Sequence, residues 1–368
     1  MANGCEGQTE PDVPPGYPRF SWDRVPVFIH FGKNDGLTEE ELRFVAAHTD
    51  FVCLEKGHGY LKYGSTEKGI EADAAALKRL NPEIRVLFYW NAFLDYSMYE
   101  AHHVYNSHPE WWLRTLDGDL DVIRTNLKRY DFTNPEMRIW YAAVAGAATE
   151  KSSDGIYMDA FPQVGAPANI DLWGEEKYRE MQEGLHALIR DVRETMGEGN
   201  LIVFNGIRNV PGYSFGMDFV PVTDAAKIEH FGHFRSESKE SMLRDMEAMM
   251  EAGRQGKIVI MKGWPGFDWL RPHVGQTAYE ELLAEARKNI TFPLACFLVA
   301  ARPFSYFCYS WGYREQHGSL DWYPEFDKPL GEPKADAVRN GWEFTREFEH
   351  CRVWVNLETR EAEIEWKN

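Results

Sequence analysis

Two carboxylates stand out for where they sit. Asp159 closes the run Gly-Ile-Tyr-Met-Asp over 155–159, and Glu229 comes near the end of Ala-Lys-Ile-Glu-His-Phe over 226–231. Each lies at the C-terminal end of a short apolar segment. Two carboxyl groups facing each other across one mouth can split a glycosidic bond, one as acid and the other as nucleophile or base. A spacing of about 5–5.5 Å gives a retaining enzyme and about 6.5–9.5 Å an inverting one. His30, Glu55, Asn91, Asn205, Lys262 and Tyr309 stand at the ends of the other apolar runs. With Arg208 and His230 they are the expected partners for sugar hydroxyls. Aromatic residues make up 14% of the chain, with 13 Trp and 17 Tyr. Trp90, Trp111, Trp264 and Trp311 are the expected stacking faces.

Each of these residues also has a simpler use. Asp159 could cap the helix that follows it, and Glu229 could pair with Lys227 or Arg235. Glu55 is adjacent to Lys56, Trp111 and Trp112 could be loop core, and His30 could be a hydrogen-bonded histidine inside the barrel. His102-His103 and the set Glu229, His230, His233 lack the H-x-H or H-E-x-x-H spacing of metal sites, so neither a catalytic metal nor a cofactor is expected. Gly263 and Gly266 flank aromatic residues rather than forming a phosphate nest, and no P-loop or G-x-S-x-G occurs. The five cysteines have no C-x-x-C spacing and do not require disulfides.

Eight near-continuous apolar runs can position these side chains: 26–31, 50–55, 85–91, 155–160, 200–205, 226–231, 257–262 and 296–308. Such runs are expected of parallel strands covered on both faces. Helical patterns lie between them. Thr38-Glu39-Glu40-Glu41 reads as a capping box and Asn134-Pro135 as a helix start, and 175–197, 237–254 and 276–290 are amphipathic. The alternation predicts an α/β fold, a (β/α)8 TIM barrel over 19–345. The alternative, an open doubly wound sheet, lacks a G-x-G-x-x-G turn after its first strand. Residues 92–134 form an unusually long connection, of the kind that is usually functional. Val353, Val355 and Leu357, then Ala362, Ile364 and Trp366, alternate as a β-hairpin within a C-terminal appendage over 346–368. Residues 1–18 are polar and rich in Pro and Gly and are expected to be a flexible leader.

The charge balance excludes several classes. Lys and Arg total 40 against 58 Asp and Glu, a net charge of −18. A nucleic-acid binder would show a basic footprint, and anionic membrane surfaces are disfavoured for the same reason. No apolar run is long enough for a membrane-spanning segment. Gly4-Cys5 followed by polar residues resembles a lipoprotein stub after signal removal, which would give an exported protein with a lipid anchor at Cys5; a cytoplasmic location stays open.

Beyond this residue-level reading there is a resemblance. Tyr130-Asp131-Phe132-Thr133-Asn134-Pro135-Glu136-Met137-Arg138, followed by Asp154-Gly155 and Asp159, resembles the D-x-T-N-P-x-x-R … D-G-hydrophobic-D run of barrel glycoside hydrolases. The similarity is to the α-galactosidase-like group and the hypothetical glycosyl hydrolase families related to it. His108-Pro109-Glu110-Trp111-Trp112 with Asp117-Gly118, and Arg346–His350 with Val353–Asn356, resemble other segments of those proteins. The resemblance implies a retaining mechanism with Asp159 as nucleophile and an acid/base from strand six, Glu229. In α-galactosidases both carboxyls are Asp and a Lys stands two positions before the nucleophile, where this chain has Tyr157. Endo-fucanases are likewise barrel enzymes with an Asp/Glu pair, so the expected substrate, an oligo- or polysaccharide, extends to an algal or sulfated glycan such as fucan. Arg208, Lys262, Arg271, Arg302 and His230 are candidate sulfate ligands. Two other readings remain at this point: a carbohydrate-binding barrel without catalysis, and a barrel lyase or isomerase, which would need a phosphate or metal site.

Overall fold

The structure, a computed structural model, describes residues 13–124, 126–208, 214 and 216–367. Eight parallel strands pair in chain order: β1 (Ile29–Phe31), β2 (Phe51–Leu54), β3 (Arg85–Asn91), β4 (Gly155–Asp159), β5 (Leu201–Ile207), β6 (Ala225–Ile228), β7 (Ile258–Gly263) and β8 (Ser305–Tyr309). The first and last meet as well. The Phe28 amide donates to the Phe307 carbonyl at 2.8 Å, and the Phe307 amide to the Pro26 carbonyl at 2.8 Å. The sheet therefore closes into a barrel. Around it run α1 (Glu39–His48), α2 (Thr66–Leu80), α3 (Pro135–Lys151), α4 (Glu175–Met196), α5 (Lys239–Arg254), α6 (Tyr279–Asn289) and α7 (Thr291–Ala300). The capping box at Thr38 and Glu41 and the Asn134 cap both form. Between β5 and β6 the described residues hold only a 3-10 turn, Val220–Val222.

One strand expectation needs correction. The run 296–308 divides into the C-terminal part of α7 and the strand β8. A wholly buried helix and a wholly buried strand are both continuously apolar, so hydrophobicity does not separate them.

Along each strand, alternate residues face the barrel axis. Phe51, Leu87, Leu201 and Ile258 fill its lower part, with Cys53, Tyr89, Tyr157, Val203 and Ile260 among those in the same interior cluster. Two positions further on, each of these last five strands presents Glu55, Asn91, Asp159, Asn205 or Lys262. The period of two thus delivers polar groups at the mouth from the same face that is apolar below. Within the expected leader, Tyr17 is buried: its hydroxyl donates to the carbonyls of Asp224 and Gly256, both at 3.2 Å, and its ring meets Phe304 edge-on. Leader order therefore begins before residue 18; residues 1–12, and with them Cys5, lie outside the described residues.

The hairpin expected over 351–366 forms, as β11 (Cys351–Asn356) and β12 (Glu361–Trp366), and two further strands, β9 (Val338–Asn340) and β10 (Glu343–Glu347), extend it into a four-stranded antiparallel sheet. This sheet packs on α7, whose residues from Pro293 to Ala300 are all buried. The buried Arg346 of β10 donates from Nη1 to the carbonyls of Leu298 at 2.9 Å and Ala301 at 2.5 Å, satisfying backbone acceptors at the buried C-terminal end of the helix. Burial pushes its guanidinium down to about 10. Arg346→Met is expected to lower stability by about 2 kcal/mol, because it strands buried carbonyls. Urea unfolding of the two proteins measures this, and an unchanged midpoint would count against the contact.

Candidate active site

Three adjacent strands supply the centre. Asp159 ends β4, Asn205 lies on β5 and Glu229 follows β6 directly. Gly155 at the start of β4 lets these strands approach, since a Cβ there would lie 2.2 Å from the Leu201 carbonyl oxygen. The Asn205 side-chain nitrogen donates to Asp159 Oδ1 at 2.8 Å and to Glu229 Oε2 at 2.7 Å. Those two oxygens are therefore at most 5.5 Å apart, the sum of the two bonds. Asp159 also accepts from the Tyr89 hydroxyl at 2.5 Å, from Asn91 Nδ2 at 3.4 Å and from the Ala160 amide at 2.7 Å. Ala160 takes a left-handed backbone, φ 78°, a conformation that costs a non-glycine residue energy and is often found at functional sites. Asp159 makes no side-chain cap to the short helix after it.

Glu229 is surrounded by donors. His230 Nε2 lies 3.1 Å from Oε2 and the Tyr313 hydroxyl donates to Oε1. Burial pushes its carboxyl up, but His230, Lys227 and Tyr313 together outweigh burial and hold it well below the usual carboxylate range. Burial, followed by the Glu229 charge, pushes the Tyr313 hydroxyl far up, so it stays protonated and donates. Below lie two fully buried lysines. Lys227 Nζ donates to His30 Nδ1 at 2.8 Å, and Lys262 Nζ donates to Ser310 Oγ at 2.6 Å. Burial, reinforced by Lys227, pushes His30 well below its usual value, leaving the ring neutral with its Nε2 hydrogen towards Glu55, 3.6 Å away. Burial likewise lowers Lys262 to about 8. Burial raises Glu55, against the pull of Lys56, whose ammonium donates to it at 2.7 Å. The Glu55–Lys56 pair and the hydrogen-bonded His30 thus take the simpler roles considered for them. Glu229 pairs with neither Lys227 nor Arg235 at the surface.

Above these groups opens a cleft of about 680 Å³. Of the residues singled out by sequence, Glu55, Asn91, Asp159, Asn205, Arg208, Glu229 and His230 line it. His30 lies just beneath. Several expected sugar contacts do not hold. Trp90 is adjacent to Asn91 on one strand and so points the other way, packing on Tyr99 and Tyr141 outside the barrel wall. Tyr309 also faces outward, its hydroxyl donating to the Ala286 carbonyl at 2.8 Å. Trp311 is fully buried against Phe267 and Tyr279. Trp111 is loop core, with His108 stacked 3.9 Å away and Trp140 behind. Lys262 is sealed below the mouth. Trp264 is buried, and its indole donates to the Glu229 carbonyl at 2.7 Å, so it braces the carboxylate's backbone instead of meeting sugar. Arg271 contacts Asp268 and Arg302 pairs with Asp336, and neither lines the cleft.

Sequence reasoning missed several cleft residues. Tyr89 shares the inward parity of Asn91 and was legible from it. Trp269, half-buried and stacked over Trp264 at 5.8 Å, lines the cleft together with Phe234. Tyr313 and Arg314 come from the loop after β8, and Tyr96 and Arg124 from the long 92–134 connection; loops of this kind carry no periodic signal. That connection also holds the sequence's histidine pair: His102 Nδ1 lies 2.7 Å from Asp95, a local pairing. Among the described residues no group of three or more His, Cys, Asp or Glu is arranged to hold a metal ion, and no helix is long and apolar enough to cross a membrane.

Comparison with known proteins follows the same line. Structural similarity extends to the maltogenic alpha-amylase AmyB of Thermotoga neapolitana, at 12% identity over 94% of this chain and 94% of that one, with a TM-score of 0.52. It extends equally to an alpha-amylase of Lactobacillus plantarum, at 11% identity over 93% and 94%, also 0.52, and to an alpha-amylase of Geobacillus thermoleovorans, at 10% over 92% and 87%, TM-score 0.50. At such identities these matches show the fold alone, a TIM barrel. No curated protein matches the sequence. The model of hypothetical glycosyl hydrolase family 15 matches residues 78–352, more than half of the chain and the span that carries both carboxylates. The chain belongs to hypothetical glycosyl hydrolase family 15, and it is a glycoside hydrolase.

Proposed function

We propose that this enzyme cleaves the O-glycosidic bonds of an oligo- or polysaccharide with retention of configuration, with Asp159 as nucleophile and Glu229 as acid and base. The observation that carries this reading is the shared amide of Asn205, which keeps one oxygen of each carboxylate within 5.5 Å of the other. That spacing suits direct attack and leaves little room for the water that an inverting enzyme places between its carboxyls. Asp159 would attack the anomeric carbon as Glu229 delivers its proton to the leaving oxygen. The glycosyl–enzyme ester would then be hydrolysed by a water that Glu229 deprotonates. Tyr89 and Asn91 hold Asp159 in line, and Trp269 offers the face on which a ring can stack.

Glu229 must be protonated to act as the acid, and in the empty cleft His230, Lys227 and Tyr313 hold it low. The alkaline limb of kcat/KM, which reports the free enzyme, is therefore expected at acidic pH. His230→Gln removes the strongest group lowering Glu229, so that limb should move to higher pH. A limb that stays in place in the variant would show that another group controls it.

The assignment itself is tested after a reducing-end screen of plant and algal polysaccharides has found a substrate. Asp159→Asn is expected to lower kcat by about a thousandfold or more, and Glu229→Gln by about a hundred- to ten-thousandfold. Proton NMR of the first product formed should show the substrate's own anomer. With azide present, Asp159→Ala should yield the glycosyl azide of opposite configuration and Glu229→Ala that of the same configuration. An inverted first product, or normal turnover in both variants, would remove the proposal.

A further inference from the structure

The cleft's charge runs against that of the chain. Over the whole sequence acidic residues exceed basic ones, 58 to 40. The cleft is lined by three carboxylates, Glu55, Asp159 and Glu229, and by four cations, Lys56, Arg124, Arg208 and Arg314. Lys227 and Lys262 lie directly beneath, so cations outnumber carboxylates within this one region. Lys56 is spent on Glu55. The three arginines are not matched in this way. Arg208 is half-buried and, among the described residues, gives one hydrogen bond, to the Phe234 carbonyl at 3.2 Å. Arg314, also half-buried, donates to the side-chain oxygen of Asn34 at 2.5 Å. Arg124 stands exposed at the rim on the long connection, held in a left-handed conformation with φ 47°. Among the described residues none of the three makes a contact ion pair with a carboxylate; Glu229 and Asp245 act on Arg208, and Arg314 on Glu55, only through space. In a chain with eighteen surplus negative charges, guanidinium groups left half-buried and unpaired around a binding cleft need a reason. Withdrawing a cation from water is costly unless an anion meets it, and the planar fork of arginine matches carboxylate and sulfate.

We propose that the glycan cleaved here is anionic, and that Arg208 on the Glu229 side of the cleft and Arg314 on the Glu55 side hold its carboxylate or sulfate groups, with Arg124 attracting the chain at the rim. This rests on the cleft being the catalytic one. Glu229 is held by His230, Lys227 and Tyr313, so the arginines at the cleft wall are left for substrate. Fields from the acidic remainder of the surface are screened within about 8 Å at physiological salt, whereas the cleft's own groups act at contact distance.

Matched polymers test this without depending on turnover. Binding is measured by affinity electrophoresis with Asp159→Asn on polygalacturonate and on its carboxyl-reduced form, and on fucoidan and carrageenan and their desulfated forms. The wild type is assayed in parallel for reducing ends. At least one anionic polymer should bind about tenfold more tightly than its neutralised partner. That preference should shrink with added salt and fall about tenfold in Arg208→Gln or Arg314→Gln, with Arg208→Lys and Arg314→Lys recovering part of it. Arg124→Gln, an exposed change that leaves the fold intact, should weaken binding at low salt chiefly. The carboxylate and sulfate arms decide between uronate and sulfated chains. Equal binding of charged and neutralised polymers overturns the proposal. Preference for a neutral polymer that the arginine variants leave unchanged overturns it, as does binding of no anionic polymer at all. Should Asp159→Asn keep normal turnover, the catalytic assignment falls while the binding preference is still read.

Discussion

One amide group constrains everything at the mouth of this barrel. Two carboxylates repel each other, and nothing in a strand's geometry obliges them to stay close. Asn205 gives one hydrogen to each, and both bonds are short. Having no charge, it joins them without neutralising either. It can do so only because β4, β5 and β6 are consecutive neighbours, so that Asp159, Asn205 and Glu229 arrive side by side. The remaining lone pairs are filled from the flanks: Tyr89 and the strained Ala160 amide on one side, Tyr313 and His230 on the other. Lys227 and Lys262 set the charge of the floor, and their own burial is tolerated because His30 and Ser310 accept from them.

The residues that carry the family resemblance perform different work. Lys177 of α4 bonds both oxygens of Asp131, at 2.9 and 2.7 Å. Arg138 of α3 reaches Asp191 of α4 at 2.9 Å and the Phe132 carbonyl at 2.7 Å. Asn134 caps α3. Asp154 accepts from the Val86 amide and from Lys78, fixing where β4 begins beside β3. The D-x-T-N-P-x-x-R run is thus a clamp between two outer helices, and Asp154-Gly155 sets strand register. Of the quoted residues only Asp159 takes part in the cleft.

Strand number, strand ends and the mouth's polar groups were legible because two rules overlap. Parallel strands covered on both faces are apolar throughout, and the site gathers at their C-terminal ends. Side-chain parity was also present in the sequence but decides more than composition does. Trp90 and Asn91 are neighbours in one strand, so only one can enter the mouth, and the Asn does. Trp264 and Trp311 lie beyond their strand ends, where parity lapses and burial is set by loops packing on loops. The same is true in reverse of Trp269, Tyr313 and Arg314, which reach the cleft from irregular segments. The division of 296–308 between α7 and β8 turns on tertiary coverage, which a single apolar run does not encode.

The C-terminal sheet has a bearing on the order in which the molecule can assemble. Helix α7 is apolar on every side, and its outer face is covered by strands that lie some forty residues or more further along the chain, with Arg346 closing its final turn. During synthesis the eight barrel strands therefore emerge before the layer that shields this helix. Until β9 to β12 leave the ribosome, the nascent barrel shows a greasy flank beside β7 and β8. That interval is when a chaperone has most to do, and the sheet's docking on α7 is the step that ends it.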